Sequence, residues 1–253
     1  MTEFQSVVFF DLDNTLIDGP FEEGVWPVVL AELAGKTGLS QDEIYRLIGD
    51  ENEARQLDTA VSPLVAMDWD DITATVAQRL GVTLEANVCQ LATAHAGQST
   101  VRADGVKILQ DLSAPHRALV VATKGLAKYQ QPVLDALGLT PLFAAVLTPD
   151  VNGGLKKHRV FFGDWPRTTR LQIMVGDRYD DDVAAPASYG FKTIWKADDL
   201  PERLRPQDPF RRALLYPYAD DQPAAADAII TALDEVPDIV RRLELAGLGF
   251  TDR

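Results

Sequence analysis

Apolar residues in this chain follow two rhythms. Val7-Val8-Phe9-Phe10 is a short, unbroken run of β-formers, which predicts a strand covered on both faces, as in a parallel sheet. Similar runs at residues 118–122, 143–147, 171–175 and 192–195 predict four more strands, and residues 226–230 a last one at the edge. Between residue 21 and about residue 97 the pattern is helical throughout. Val25, Val28, Val29, Ala31, Leu33 and Ala34 share one face. Ser40 and Glu43 have the spacing of a capping box, opening a helix through Ile44, Leu47 and Ile48. Two further helices are predicted over 72–80 and 84–96. After residue 104, helices alternate with the strands. They run over 106–112, through Val133 to Leu137 with Gly138 as C-cap, from Asp181 to Gly190, and from Asp234 with Pro237 in the first turn. Alternation of this kind predicts an α/β fold, a doubly wound, Rossmann-like parallel sheet with right-handed crossovers. An all-helical insertion interrupts it. The expected division is an α/β core of residues 1–17 and 104–253 and a helical block of residues 18–103. Residues 197–222 are Pro-rich and charged, and read as a long excursion.

Charge and composition narrow the function classes. The 253 residues hold 24 Lys and Arg against 38 Asp and Glu, a net charge of −14. A chain this acidic lacks the basic stripe expected of a nucleic-acid binder and is repelled by anionic membrane surfaces. Its longest apolar run, residues 142–147, is far short of the roughly 20 residues a spanning helix needs. One cysteine, Cys89, excludes an internal disulfide and a Cys-based metal cage. With no readable signal peptide, the expectation is a cytoplasmic protein that binds neither nucleic acid nor membrane. The oligomeric state is not readable.

Candidate chemistry sits where the strands end. In an open parallel sheet, ligands bind outside the carboxyl ends of the strands. Here one strand runs into Asp11 and Asp13, another into Thr123 and Lys124, and a third into Asp177 followed by Asp180, Asp181 and Asp182. Asp11 and Asp13, two apart, point the same way from an extended strand end. Carboxylates that close repel unless a cation bridges them or one holds a proton. A hard dication with oxygen ligands, most naturally Mg²⁺, removes the conflict, with Asp177 as a third carboxylate.

These residues resemble the haloacid dehalogenase (HAD) superfamily of phosphohydrolases, through four motifs in order. Phe10-Asp11-Leu12-Asp13-Asn14-Thr15-Leu16 matches the first, Asp-x-Asp-x-Thr. Val120-Val121-Ala122-Thr123 matches the second, Lys156 or Lys157 the third, and Val175-Gly176-Asp177-Arg178-Tyr179-Asp180-Asp181-Asp182 the fourth. The likeness covers residues 5–17 and 104–196, and the helical insertion looks like the family's C1-type cap. The resemblance implies a Mg²⁺-dependent phosphatase acting on a small phosphate ester. Asp11 is then the nucleophile that forms an aspartyl-phosphate, and Asp13 the general acid and base. Mg²⁺ is held by Asp11, the Asp13 carbonyl and Asp177, and Asp182 with Asp181 supports its water shell. Thr123 and Lys156 contact the phosphoryl group, and Lys124 is a candidate substrate contact. The third motif lacks its usual proline. Lys156 is preferred over Lys157, and the helix between it and Asp177 is expected to be trimmed.

The same motifs leave a phosphomutase open, and the scaffold also allows a non-catalytic phosphate- or metal-binding protein. A dehalogenase is disfavoured because it needs no second acid at Asp13, and a phosphonatase because the cap holds only Lys36. No Gly-x-Ser-x-Gly elbow, Walker loop or Gly-x-Gly-x-x-Gly is present. His95, His116 and His158 lack metal-ligand spacing. Trp26 and Trp69 are expected in the cap core, and Arg46 and Arg55 in solvent.

Overall fold

The apolar runs pair side by side into one sheet. In the computed structural model, which describes residues 4–218, 222–223 and 225–249, the chain opens with β1 (Ser6–Phe10) and β2 (Ile17–Asp18). Five helices follow: α1 (Trp26–Thr37), α2 (Gln41–Leu57), α3 (Pro63–Ala66), α4 (Trp69–Arg79) and α5 (Val88–His95). Then come β3 (Thr100–Val101), α6 (Gly105–Leu112), β4 (Arg117–Ala122), α7 (Ala127–Ala136), β5 (Ala145–Leu147), α8 (Pro149–Asn152) and α9 (Trp165–Thr168). The chain continues through β6 (Leu171–Gly176), α10 (Ala185–Ser188), β7 (Lys192–Lys196), α11 (Pro209–Leu215), β8 (Pro217–Tyr218), β9 (Gln222–Pro223), β10 (Ala228–Ile230) and α12 (Val236–Leu248).

Six strands form the sheet in the order β10-β7-β6-β1-β4-β5, every pair parallel. All five residues of β1 are buried. Val8 and Phe10 face a core shared with α6 and α12, including Leu109, Ile239 and Val240. Val7 and Phe9 face Phe161, Phe162, Met174 and Phe191. Covering both faces explains why the strands read as unbroken apolar runs. Register then sets the site. Phe10 lies opposite Val121 on β4 and Val175 on β6, so the residues after these strands emerge next to one another.

Helices α1–α5, inserted after β2, form a cap with a core of its own, including Val29, Leu33, Ile44, Ile48, Ile72 and Val76. The capping box at the start of α2 is present: Glu43 N donates to Ser40 Oγ at 3.3 Å, and Ser40 N to Glu43 Oε2 at 2.9 Å. Where the chain enters and leaves the cap, β2 and β3 pair antiparallel, and Arg102 Nε donates to Asp18 Oδ1 at 2.8 Å. Two-residue strands carry no periodicity, so neither was legible in the sequence. Among the described residues no helix is long and apolar enough to cross a membrane.

Several local expectations need correction. The Pro-rich excursion contains α11, because Pro209 opens that helix rather than breaking one, and Asp208 caps it. Leu200, Leu204 and Ala213 from this stretch pack on Trp195 and Ile229. Residues 219–221 of the excursion lie outside the described residues. The helix read from residue 84 starts only at Val88, where Asn87 Oδ1 accepts from Gln90 N at 2.8 Å. Arg55 is not in solvent: it ties buried Glu51 at 2.7 Å to Asp71 at 2.6 Å.

One buried ion pair anchors the far end of the sheet. Glu244 on α12 accepts from Ser6 Oγ at 2.5 Å, from Arg117 Nε at 2.8 Å and from the Arg117 η-nitrogen. Burial alone would raise its pKa, but the bonds from Arg117 and Ser6 outweigh that and lower it. A carboxylate with a lowered folded pKa stabilises fully above its ordinary value, and the contribution is lost as pH falls through the folded one. Glu244→Gln is therefore expected to cost about 3–5 kcal/mol at neutral pH. In urea titrations that difference should shrink on acidification to about pH 3. A deficit unchanged by pH would mean lost packing rather than lost charge.

Candidate active site

Four chain segments converge at the carboxyl edge of β1, β4 and β6. Asp11 leaves β1 with its N–H still bonded to Val175 O at 2.8 Å. The chain then winds tightly: Leu16 and Ile17 both donate backbone N–H groups to Leu12 O, and Asn14 takes a left-handed φ of 62°, which asparagine tolerates. This winding returns Thr15 Oγ1 to 3.1 Å from Asp11 Oδ2 and 3.3 Å from Asp177 Oδ1. Thr123, buried at the end of β4, accepts from Gly125 N at 3.1 Å through its hydroxyl oxygen.

Lys156 comes from the segment between α8 and α9, where short helical turns replace a long helix. Its side chain is 1% exposed, and Nζ donates to Asp11 Oδ1 and, at 2.7 Å, to Asp182 Oδ1. Lys157 points the other way, donating to Gln56 O on the cap at 2.8 Å. Beyond β6, a π-helical turn over Tyr179–Ala184 folds Asp182 back beneath the strand, where its Oδ2 accepts from Arg178 N at 3.0 Å. Gly176 makes that possible: a Cβ there would lie 2.2 Å from Asp182 Oδ2.

Carboxylate oxygens of Asp11, Asp177 and Asp182 lie within 4.8 Å of one another. Asp182 is pushed up from the ordinary carboxylate range, first by burial, with Asp11 adding to it against Lys156. Asp177 is raised by burial and then by Asp11. Burial would lower Lys156, but Asp11 and Asp182 outweigh it and hold the ammonium charged. Asp13 rises to about 6, from burial and then the Asp11 charge, while Gln130 opposes the rise. One lysine thus faces three clustered carboxylates. An all-oxygen, anion-rich donor set of this kind fits a hard dication such as Mg²⁺.

The family profile of the haloacid dehalogenase-like hydrolases matches residues 5–190. The chain belongs to that family. A glyceraldehyde 3-phosphate phosphatase of Methanocaldococcus jannaschii is 30% identical over 55% of this chain and 56% of its own length, so the match spans little more than half of that relative. A phosphoglycolate phosphatase of Caulobacter vibrioides is 29% identical over 71% of this chain and 74% of its own. In three dimensions, a HAD phosphatase from Thermococcus onnurineus superposes with a TM-score of 0.65 at 23% identity, covering 93% of this chain and 97% of that one.

Two contacts in this HAD-like hydrolase had no role in the sequence reading. Gln130 on α7, 4% exposed, donates from Nε2 to Asp13 Oδ2 at 2.7 Å. Its only trace in the sequence is Gly125, where a Cβ would collide with the Gln130 amide. Thr15 stood inside the first motif but was given no role. Asp181 does not join the carboxylate cluster, nor does it cap the following turn. It accepts from Lys124 at 2.8 Å and lies 3.4 Å from Arg178 Nε. Lys124 is accordingly spent on Asp181 rather than turned to water.

Between core and cap lies a cavity of about 650 Å³ whose lining includes Asp11, Asp13, Thr123, Lys156 and Asp177. Trp26 and Trp69 belong to the cap's apolar cluster, as the sequence suggested, yet both also line this cavity. Tyr129 and Lys128 of α7 hold the cap down by bonds of 2.7–3.0 Å to Asp68 and Asp70 at the start of α4.

Proposed function

We propose that this protein is a Mg²⁺-dependent phosphatase that hydrolyses a small phosphorylated metabolite through an aspartyl-phosphate on Asp11. The observation that carries the reading is the meeting of Asp11, Asp177 and Lys156, which line a capped cavity, with Asp182 buried beneath them. The two curated relatives are also phosphatases of small phosphate esters by name. Asp11, Asp177 and the Asp13 carbonyl would hold the ion, with Asp182 supporting its water. When bound, Mg²⁺ supplies charge neutralisation for the phosphoryl oxygens.

The chain's own residues do the rest. Thr15 and Lys156 fix the Asp11 carboxylate, one on each oxygen, at the cavity lining. The carboxylate attacks phosphorus, forming the Asp11–phosphate bond as the bond to the leaving alcohol breaks. Asp13, held by Gln130, gives its proton to that alcohol. It then takes a proton from the water that cleaves the acyl phosphate, which regenerates Asp11 and releases phosphate. Thr123 and Lys156 bind phosphoryl oxygens, whose charge must be neutralised in the transition state. Closure of the cap would exclude bulk water and leave no room for a macromolecular substrate. The lone Cys89 accords with a cytoplasmic setting.

p-Nitrophenyl phosphate hydrolysis tests this. Turnover is expected with Mg²⁺ and none in EDTA, and Mg²⁺ titration should raise the melting temperature of the full chain. Mg²⁺ binding without turnover of this ester or of a broad phosphate-ester panel would favour the non-catalytic alternative.

A further inference from the structure

We infer that the cap is built to favour an ammonium group over an anionic one on the leaving alcohol of the substrate. The inference rests on the phosphatase reading and adds the chemical class of the substrate. Charge is divided unevenly across the cavity. The floor carries cations close to where the phosphoryl group is to sit, Lys156 between Asp11 and Asp182 and Lys124 on Asp181. The roof comes from the cap, and no Lys, Arg or His of the cap reaches it. Instead the cap presents two exposed carboxylates, Glu22 and Glu53, beside the aromatic side chains of Phe21, Tyr45 and Trp69.

Two of the cap's cations are engaged elsewhere. Arg55 is bound to Glu51 and Asp71, and Lys36 to Glu32 at 2.7 Å. The amides on the roof are also engaged within the cap, since Gln56 Nε2 donates to Asn52 Oδ1 at 2.7 Å and Asn52 Nδ2 to Ala66 O at 2.8 Å. From the core, Lys157 comes up to the roof, where its ammonium donates to Gln56 O at the last turn of α2. Exposed Arg178 also lines the cavity from the core side, beside Asp180 and Asp181 at 3.8 and 3.4 Å. A carboxylate on the leaving group would therefore meet Glu22 and Glu53 with Lys157 as its counter-charge at the roof. An ammonium group would meet two carboxylates and aromatic faces, whose quadrupoles attract cations. Like-charge juxtaposition is how such a wall rejects the wrong ligand.

The test uses the Mg²⁺-loaded full chain, with p-nitrophenyl phosphate as reporter and three two-carbon esters of similar size as competitors. O-phosphoethanolamine carries an ammonium, 2-hydroxyethyl phosphate a hydroxyl and phosphoglycolate a carboxylate. Each gives an inhibition constant whether or not it is turned over. O-phosphoethanolamine is expected to compete about five- to tenfold better than phosphoglycolate, with the neutral ester between them. The double variant Glu22→Gln, Glu53→Gln should compress that range. Phosphoglycolate as the best competitor, three equal constants, or a range untouched by the double variant would overturn the inference. Failure to hydrolyse the reporter and all three esters would instead defeat the phosphatase reading, and this inference with it.

Discussion

Asp11→Asn is expected to reduce turnover by about 10⁴-fold or more, the scale seen when the nucleophile of a covalent mechanism is removed. The amide is nearly isosteric with the carboxylate, so it fits between Thr15 and Lys156 without repacking the buried strand end. It cannot attack phosphorus. It also removes one of three carboxylates whose oxygens lie within 4.8 Å of one another. Lys156 keeps Asp182 as its partner, and loss of the Asp11 charge relieves repulsion on Asp177 and Asp182, so the variant should fold, with a melting temperature in EDTA close to that of the parent and a smaller upward shift on adding Mg²⁺. Steady-state kinetics and thermal denaturation on the same preparation check both statements. Near-normal turnover by a folded Asp11→Asn protein would remove Asp11 from the nucleophile role.

The second large effect is expected at Lys156. Its ammonium is the buried counter-charge to Asp11 and Asp182, and Lys156→Ala leaves those carboxylates uncompensated. Breaking a buried ion pair from one side costs about 3–5 kcal/mol. The loss should read directly in urea unfolding in EDTA, and Mg²⁺ should restore part of it by replacing the missing positive charge. Turnover is expected to fall by about 10²–10³-fold even with Mg²⁺ present, because a positioned donor to the phosphoryl oxygens is gone. Lys157→Ala is the control next door. That side chain is exposed and donates to the Gln56 carbonyl, a bond worth about 1 kcal/mol. Equal, mild effects at the two positions would defeat the placement of Lys156.

Exposure separates these two neighbouring lysines, and exposure was not readable from Leu155-Lys156-Lys157-His158. Adjacent residues in a segment without period point to unrelated surroundings, so counting from a motif orders the candidates without separating them. In the structure, Leu155 joins the cap's apolar cluster and Lys156 dives beneath Asp11. Lys157 is left to reach the cap. Asp181 and Asp182 part in the same way: a π-helical turn sends one to Lys124 and the other under Gly176.

The sheet was legible for a simple reason. Strands covered on both faces must be apolar at every position, so each wrote itself as a run, and the polar cluster after each run marked the carboxyl edge. The cap was legible as a block of helical period, and the Asp11–Asp13 carboxylate pair as two aspartates directly after a buried strand. These are local signals, carried within about ten consecutive residues. Side-chain partners from distant segments depend on register and on where turns reverse, and local pattern does not encode either. Thus Gln130 on Asp13, Thr15 bridging Asp11 and Asp177, and the anionic, aromatic roof brought over the floor by Glu22, Glu53 and Trp69 were decided only when the chain closed on itself.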